Sequence, residues 1–145
     1  MKRQAVFKLF MNFLRKYRLA GRQSVWILEN SPGYQKIYRS ELQNLVNLDI
    51  FSTVQQIRDC FRDTSRFWPD LIVVDEIDHG IFAEGFVIDI LNAGYQGILV
   101  AASDLSIGND LLVNAGCDLR IVDQKDGVYS DKLDVVRIIK EQLML

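Results

Sequence analysis

From Ser24 onward, short β-branched apolar runs alternate with longer stretches of helical period, and few folds accept that pattern. Parallel strands need a crossover of a dozen or more residues between them, usually a helix, and a sheet built that way is covered on both faces. Strands are expected at 25–28, 48–51, 71–75, 97–102 and 119–122, and helices at 33–47, 53–67, 83–93, 105–115 and 130–143. Pro32 suits the opening of the first helix, and Ser52 or Thr53 caps the second. Pro69 closes the second helix before the third strand. Ser130 and Asp131 cap the last helix, whose apolar stripe reads Leu133, Val136, Ile139 and Leu143. Leu71-Ile72-Val73-Val74 is the most uniformly apolar run, so it belongs in the middle of the sheet, with both faces buried. The expected architecture is an α/β fold, a five-stranded parallel doubly wound sheet in the order 2-1-3-4-5 with an extra N-terminal amphipathic helix.

A chain of 145 residues, 49% hydrophobic, supplies a core for one domain without stapling. Cys60 and Cys117 stand in neither a CxxC nor a metal-ligand spacing and read as small core residues of a reducing compartment. The net charge of −2 hides an asymmetry. Residues 1–22 hold seven bases and no acid, which leaves the other ten bases and all nineteen acids to the rest. The extension is therefore +7 and the body −9, and the chain divides into a basic helical extension, 1–22, and a compact domain, 23–145.

On a helical wheel the extension gathers Phe7, Phe10, Phe13, Leu14 and Tyr17 on one arc, with Lys8, Arg15, Lys16 and Arg18 opposite or flanking. Those bases interrupt the only candidate span, which falls short of the roughly 18 apolar residues a bilayer crossing requires. They spoil a signal-peptide core as well. The interaction helix has three expected roles: packing against the body or a second copy as a homodimer, lying on an anionic membrane surface, or docking in a partner's groove. Nucleic acid is not expected, because the aromatics share one face and no helix-turn-helix partner precedes the body. The location is cytoplasmic, with membrane association through the helix as a variant.

In doubly wound sheets, ligands gather beyond the carboxyl ends of the strands. That rule selects Glu29-Asn30, the loop after Phe51, Asp75-Glu76, Ala102-Ser103-Asp104 and Asp123-Gln124-Lys125. No glycine spacing makes a dinucleotide or P-loop fingerprint, and no Gly-x-Ser-x-Gly elbow occurs. His79 is the single histidine, and a solvated loop histidine is its plain reading.

Trp26-Ile27-Leu28-Glu29-Asn30-Ser31-Pro32, Pro69-Asp70-Leu71-Ile72-Val73-Val74-Asp75, Gly97-Ile98-Leu99-Val100-Ala101-Ala102-Ser103 and Ala115-Gly116-Cys117-Asp118 together resemble the receiver domain of two-component response regulators over about 120 residues. The resemblance implies a phospho-accepting aspartate at Asp75 and a first acidic metal position at Glu29. Phosphoryl transfer is mostly positioning and charge neutralisation, so such domains add a second acid, a hydroxyl after strand four and a lysine after strand five. Here Asn30 replaces the second acid, Ala102 stands at the hydroxyl position and Asp123 at the lysine position. Arg120 takes the place of the aromatic residue that reports activation. Ser103 and Lys125 are the available substitutes.

These departures imply an acidic pocket of Glu29, Asn30, Asp75 and Asp123 without a fixed cation, which repels phosphate. Glu29 and Asp75 are the candidate magnesium ligands, no other cofactor is expected, and a solvated acidic mouth is the plainer alternative. The expected function is that of a pseudo-receiver, not an enzyme, binding a signalling protein without phosphorylation. An atypical receiver phosphorylated on Asp75 is the first alternative. A small flavodoxin-like enzyme or nucleotide binder is the second.

Overall fold

The computed structural model describes residues 22–63, 67–75, 77–78 and 81–145, with the side chains of 77, 78 and 81 excepted. The amphipathic extension, with Phe7, Phe10, Phe13, Leu14 and Tyr17, and the loop histidine His79 lie outside the described residues.

Five parallel strands, β1 (Ser24–Leu28), β2 (Asn47–Phe51), β3 (Leu71–Val74), β4 (Ile98–Ala101) and β5 (Leu119–Arg120), form one sheet in the order β2-β1-β3-β4-β5. This is the expected topology, with the apolar β3 buried at the centre. The helices are α1 (Pro32–Leu42), α2 (Val54–Arg62), α3 (Glu84–Asn92), α4 (Ser106–Ala115) and α5 (Asp134–Gln142).

Strand parity divides the core in two. Val25, Ile27, Leu71, Val73, Ile98 and Val100 pack with Tyr38 and Leu42 of α1 and Val135, Ile138 and Ile139 of α5. Trp26, Leu28, Ile72, Val74 and Leu99 face α2, α3 and α4 through Ile57, Phe61, Phe86, Ile90 and Leu112. Cys117 is buried in this second layer, as a small core residue should be. Gly97 enters β4 where a Cβ would lie 2.0 Å from the Tyr95 hydroxyl and 2.8 Å from the Asp70 carbonyl oxygen, so no larger residue fits.

Local chemistry sets several boundaries as expected. Thr53 caps α2 in a reciprocal box with Gln56, and Pro32 opens α1. Three helices are shorter than their periodicity suggests. α1 ends at Leu42, where the chain turns so that the Val46 N–H donates to the Leu42 carbonyl and Asn47 can pair beside β1. α2 stops at Arg62, and Phe67, expected to be helical, is 98% exposed. α5 begins at Asp134, not at Ser130, and Leu133, assigned to its buried stripe, is exposed. Between β3 and α3 the backbone adds a small antiparallel hairpin, Ile77–Asp78 with Ile81–Phe82, that the sequence pattern does not reveal.

The late start of α5 has a tertiary cause. Asp123 and Ser130 form an antiparallel bridge, the Gln124 N–H donates to the Tyr129 carbonyl at 2.8 Å, and the Asp131 N–H donates to the Val122 carbonyl at 2.9 Å. Residues 123–130 therefore leave the end of β5 and return to it. The turn is closed by Asp126, whose carboxylate accepts the Val128 and Tyr129 N–H groups, and by Gly127 at φ +71°.

Candidate functional site

Residues 25, 27 and 29 of the first strand share parity with 71, 73 and 75 of the third, so Glu29 and Asp75 emerge from the carboxyl ends of β1 and β3 on the face covered by α1 and α5. The Glu29 N–H donates to the Phe51 carbonyl at 2.9 Å and fixes its backbone beside β2. The detour at 123–130 then delivers Lys132, just ahead of α5, onto that same face.

The Lys132 ammonium bridges the two acids. It is 3.1 Å from Asp75 Oδ2 and in direct contact with Glu29 Oε1. The side chains of Lys132, Glu29 and Asp75 are 1%, 2% and 16% exposed, so the lysine and glutamate are sealed and the aspartate keeps a small opening. Tyr34 of α1 covers the ammonium with its ring centroid at 5.0 Å, and the Tyr38 hydroxyl donates to the Lys132 carbonyl at 3.0 Å. The other Glu29 oxygen accepts the Ser31 N–H at 3.0 Å, and Gln35 donates to the Glu29 carbonyl and, at 3.0 Å, to Ser52 Oγ.

Burial works against the charge on Lys132, yet Asp75 first and then Glu29, with a smaller contribution from Asp104, holds its pKa above the ordinary lysine value. The Tyr38 phenol is also pushed up, here by burial first, because burial disfavours the charged phenolate as it disfavours a charged ammonium, and then by the field of Glu29. The site is thus a buried carboxylate–ammonium–carboxylate bridge.

The expectation of an acidic pocket without a fixed cation is corrected here, because Lys132 supplies one. Asp123 does not join this bridge. Its carboxylate is taken up by Arg120 at 2.8 Å and by the hydroxyls of Ser106 and Ser130, each at 2.9 Å. Hydrogen bonds from Ser130 and Ser106 hold the Asp123 carboxyl below the usual carboxylate range. Asn30 is exposed, and so is Lys125, in the detour.

Ala102 is core, its N–H donating to the Val74 carbonyl at 2.8 Å. Ser103 is buried, but its groups serve the turn into α4. Its N–H donates to Asn109 Oδ1 at 2.7 Å, its carbonyl accepts from Asn109 Nδ2 at 3.1 Å, and its Oγ accepts the Leu105 N–H at 3.2 Å. Asn109 Nδ2 also donates to Ser130 Oγ at 2.9 Å. Arg120 joins this assembly through Asp110, Asp123 and Ser106, so the position expected to carry a mobile aromatic holds an ion-paired anchor.

Sequence reasoning missed Lys132 and Asn109. Lys132 and Lys125 are the two bases between β5 and α5, and only Lys132 directly precedes the helix that covers the Glu29 face. That adjacency was the available signal.

A magnesium ion does not fit this arrangement. It requires near-octahedral oxygen ligands at about 2.0–2.1 Å. The oxygens of Glu29 and Asp75 that would face it are already bound by the Lys132 ammonium. Among the described residues no group of three or more acids, histidines or cysteines converges on a metal position.

No family model matches the sequence, and no curated protein matches it. Solved structures do. The chain is similar to the beryllofluoride-activated receiver domain of DrrB, an OmpR/PhoB homologue from Thermotoga maritima, at TM-score 0.67 and 13% identity over 86% of this chain and 100% of that one. It spans 54% of the response regulator DrrB in a second structure. A CheY-like receiver from Methanospirillum hungatei is similar at TM-score 0.63 and 16% identity, over 86% of this chain and 95% of that one. The receiver of the sensor histidine kinase PA1611 from Pseudomonas aeruginosa, whose structure holds magnesium in its active-site cleft, is similar at TM-score 0.64 and 14% identity, over 86% and 100%. Strand order, the acids at the carboxyl edge and these likenesses agree that the chain adopts the response-regulator receiver fold.

Proposed function

We propose that this domain is a signalling module of two-component type, not an enzyme, and that it works by protein–protein interaction without phosphorylation of Asp75. The observation that carries the reading is the buried Lys132 bridge, which occupies the acceptor carboxylate with an internal counter-charge. Two carboxylates against one ammonium leave the bridge one unit negative, a poor field for an incoming phosphate. Asn30 and Ala102 supply neither a second carboxylate nor a hydroxyl.

The partner is a signalling protein in the cytoplasm, met through the surface around β5. Ile107, Leu111, Val122, Val128, Tyr129 and Leu133 are exposed there. Among the described residues no helix is long and apolar enough to cross a membrane. The basic residues 1–22 serve self-association, with an anionic membrane surface as the other use of their charge.

The test is exposure of the protein to acetyl phosphate, and to beryllofluoride with magnesium, following amide shifts around Asp75 against Asp75→Ala. No saturable shift and no phosphorylated mass are expected. Saturable shifts that vanish in the variant would establish the second reading, phosphorylation on Asp75 with Lys132 contacting the phosphoryl group, which the 3.1 Å approach of Nζ to Oδ2 favours.

A further inference from the structure

The buried bridge bears on the metal requirement of the fold, a matter separate from phosphorylation. Glu29 and Asp75 project from adjacent strands onto the same face, and two carboxylates held together in a buried site demand a cation. A divalent ion from solvent is the usual answer to such a demand, but this chain carries its own. Lys132 approaches from the α5 side, and its position is fixed at both ends. The Tyr38 hydroxyl holds its carbonyl at 3.0 Å, and the Tyr34 ring lies over its ammonium. Its residual exposure of 1% leaves no path for water to replace it without displacing the side chain.

We infer that Lys132 is the pocket's resident cation, taking the place of a divalent metal ion, so that the folded domain neither needs nor admits magnesium.

The 123–130 detour closes on itself through the Asp123 and Ser130 bridge, so the lysine emerges at the carboxyl edge although it lies far along the chain from β5. An ammonium carries three donors and one charge, which match one oxygen from each acid without the six-ligand shell that magnesium demands. Truncating the lysine stem would leave two carboxylates facing each other with no cation between them.

The experiment is a thermal melt of the full chain and of Lys132→Ala, with and without millimolar magnesium chloride. The wild-type midpoint should not move. The variant should melt lower and regain about 3 °C or more with saturating magnesium, a response that Glu29→Gln in the same background abolishes. A saturable magnesium response of the wild type overturns the inference, and so does a folded Lys132→Ala variant that ignores magnesium.

Should the variant stay unfolded at every magnesium concentration, the Lys132 side-chain ammonium signal of the wild type decides by NMR. Its persistence unchanged through the magnesium titration supports the resident cation, and its loss or displacement refutes it. Magnesium alone is the probe, so a later response to beryllofluoride would sink the phosphorylation-independent function without touching this result.

Discussion

Lys132 shows how one side chain changes the meaning of its neighbours. Removing one partner of a buried ion pair leaves uncompensated charge, at a cost of about 3–5 kcal/mol. Lys132→Met, similar in length and uncharged, should lose stability of that order in urea unfolding at neutral pH. Adding Glu29→Gln and Asp75→Asn should return most of it, and a loss within about 0.5 kcal/mol for the single variant would mean that the bridge contributes little. The pH dependence has a definite sign. Because the folded pKa of Lys132 is raised above the ordinary 10.5, its contribution is complete below that value and disappears only as pH climbs through the raised one. The stability gap between wild type and Lys132→Met should therefore hold from neutral pH into the alkaline range and close above it. Asp134 has the opposite sense. Burial pushes its carboxyl up, but Arg137 and the Val122 N–H overcome that and hold it down, so its contribution is present above the usual 3.8 and is lost in acid.

At the scale of elements, the segment from the end of β4 to the start of α5 is one polar assembly and not a set of loops. Asn109 is fully buried and ties Ser103 to Ser130, while Arg120 ties β5 to Asp110 and Asp123. Backbone bonds reinforce it, the Ser106 N–H to the Val128 carbonyl at 2.9 Å and the Ser130 N–H to the Asp104 carbonyl at 2.7 Å. Asn109→Ala removes the acceptor of the Ser103 N–H and a donor to Ser130 at once. The expected cost is about 1–3 kcal/mol, with faster amide exchange at Ser103, Ser106 and Ser130. Unchanged protection at those amides would mean that the backbone bonds suffice. This assembly also sets the position of Lys132, because Ser130 is pinned two residues before it.

For the whole molecule, the two core layers among the described residues together draw on every strand of the main sheet and on the helices that cover it, from Val25 to Leu143. The body carries −9 and the first 22 residues +7, which makes self-repulsion of the body strong once the extension is gone. A chain lacking residues 1–21 should keep a single cooperative unfolding transition and sediment as a monomer, whereas the full chain associates as its concentration rises. Loss of cooperative unfolding would show that the extension completes the core. Monomeric behaviour of the full chain would dismiss self-association and turn attention to a membrane surface or another protein.

Short-range physics controls the part of the fold that is legible along the chain. The alternation of apolar period fixes the number of strands in the main sheet, their layer order and the central place of Leu71–Val74, while Thr53 and Pro32 mark helix starts because caps act within one turn. The same parity placed Glu29 and Asp75 on one face. Which charge meets them is settled in space and not along the chain. Counted along the chain, the site after β5 belongs to Asp123 and Lys125; in space, an antiparallel bridge closes residues 123–130 into a side excursion and presents Lys132. Turn closure of that kind depends on Asn109, Ser106 and Asp104 from elsewhere in the fold, and such contacts leave no periodic trace in the residues they position.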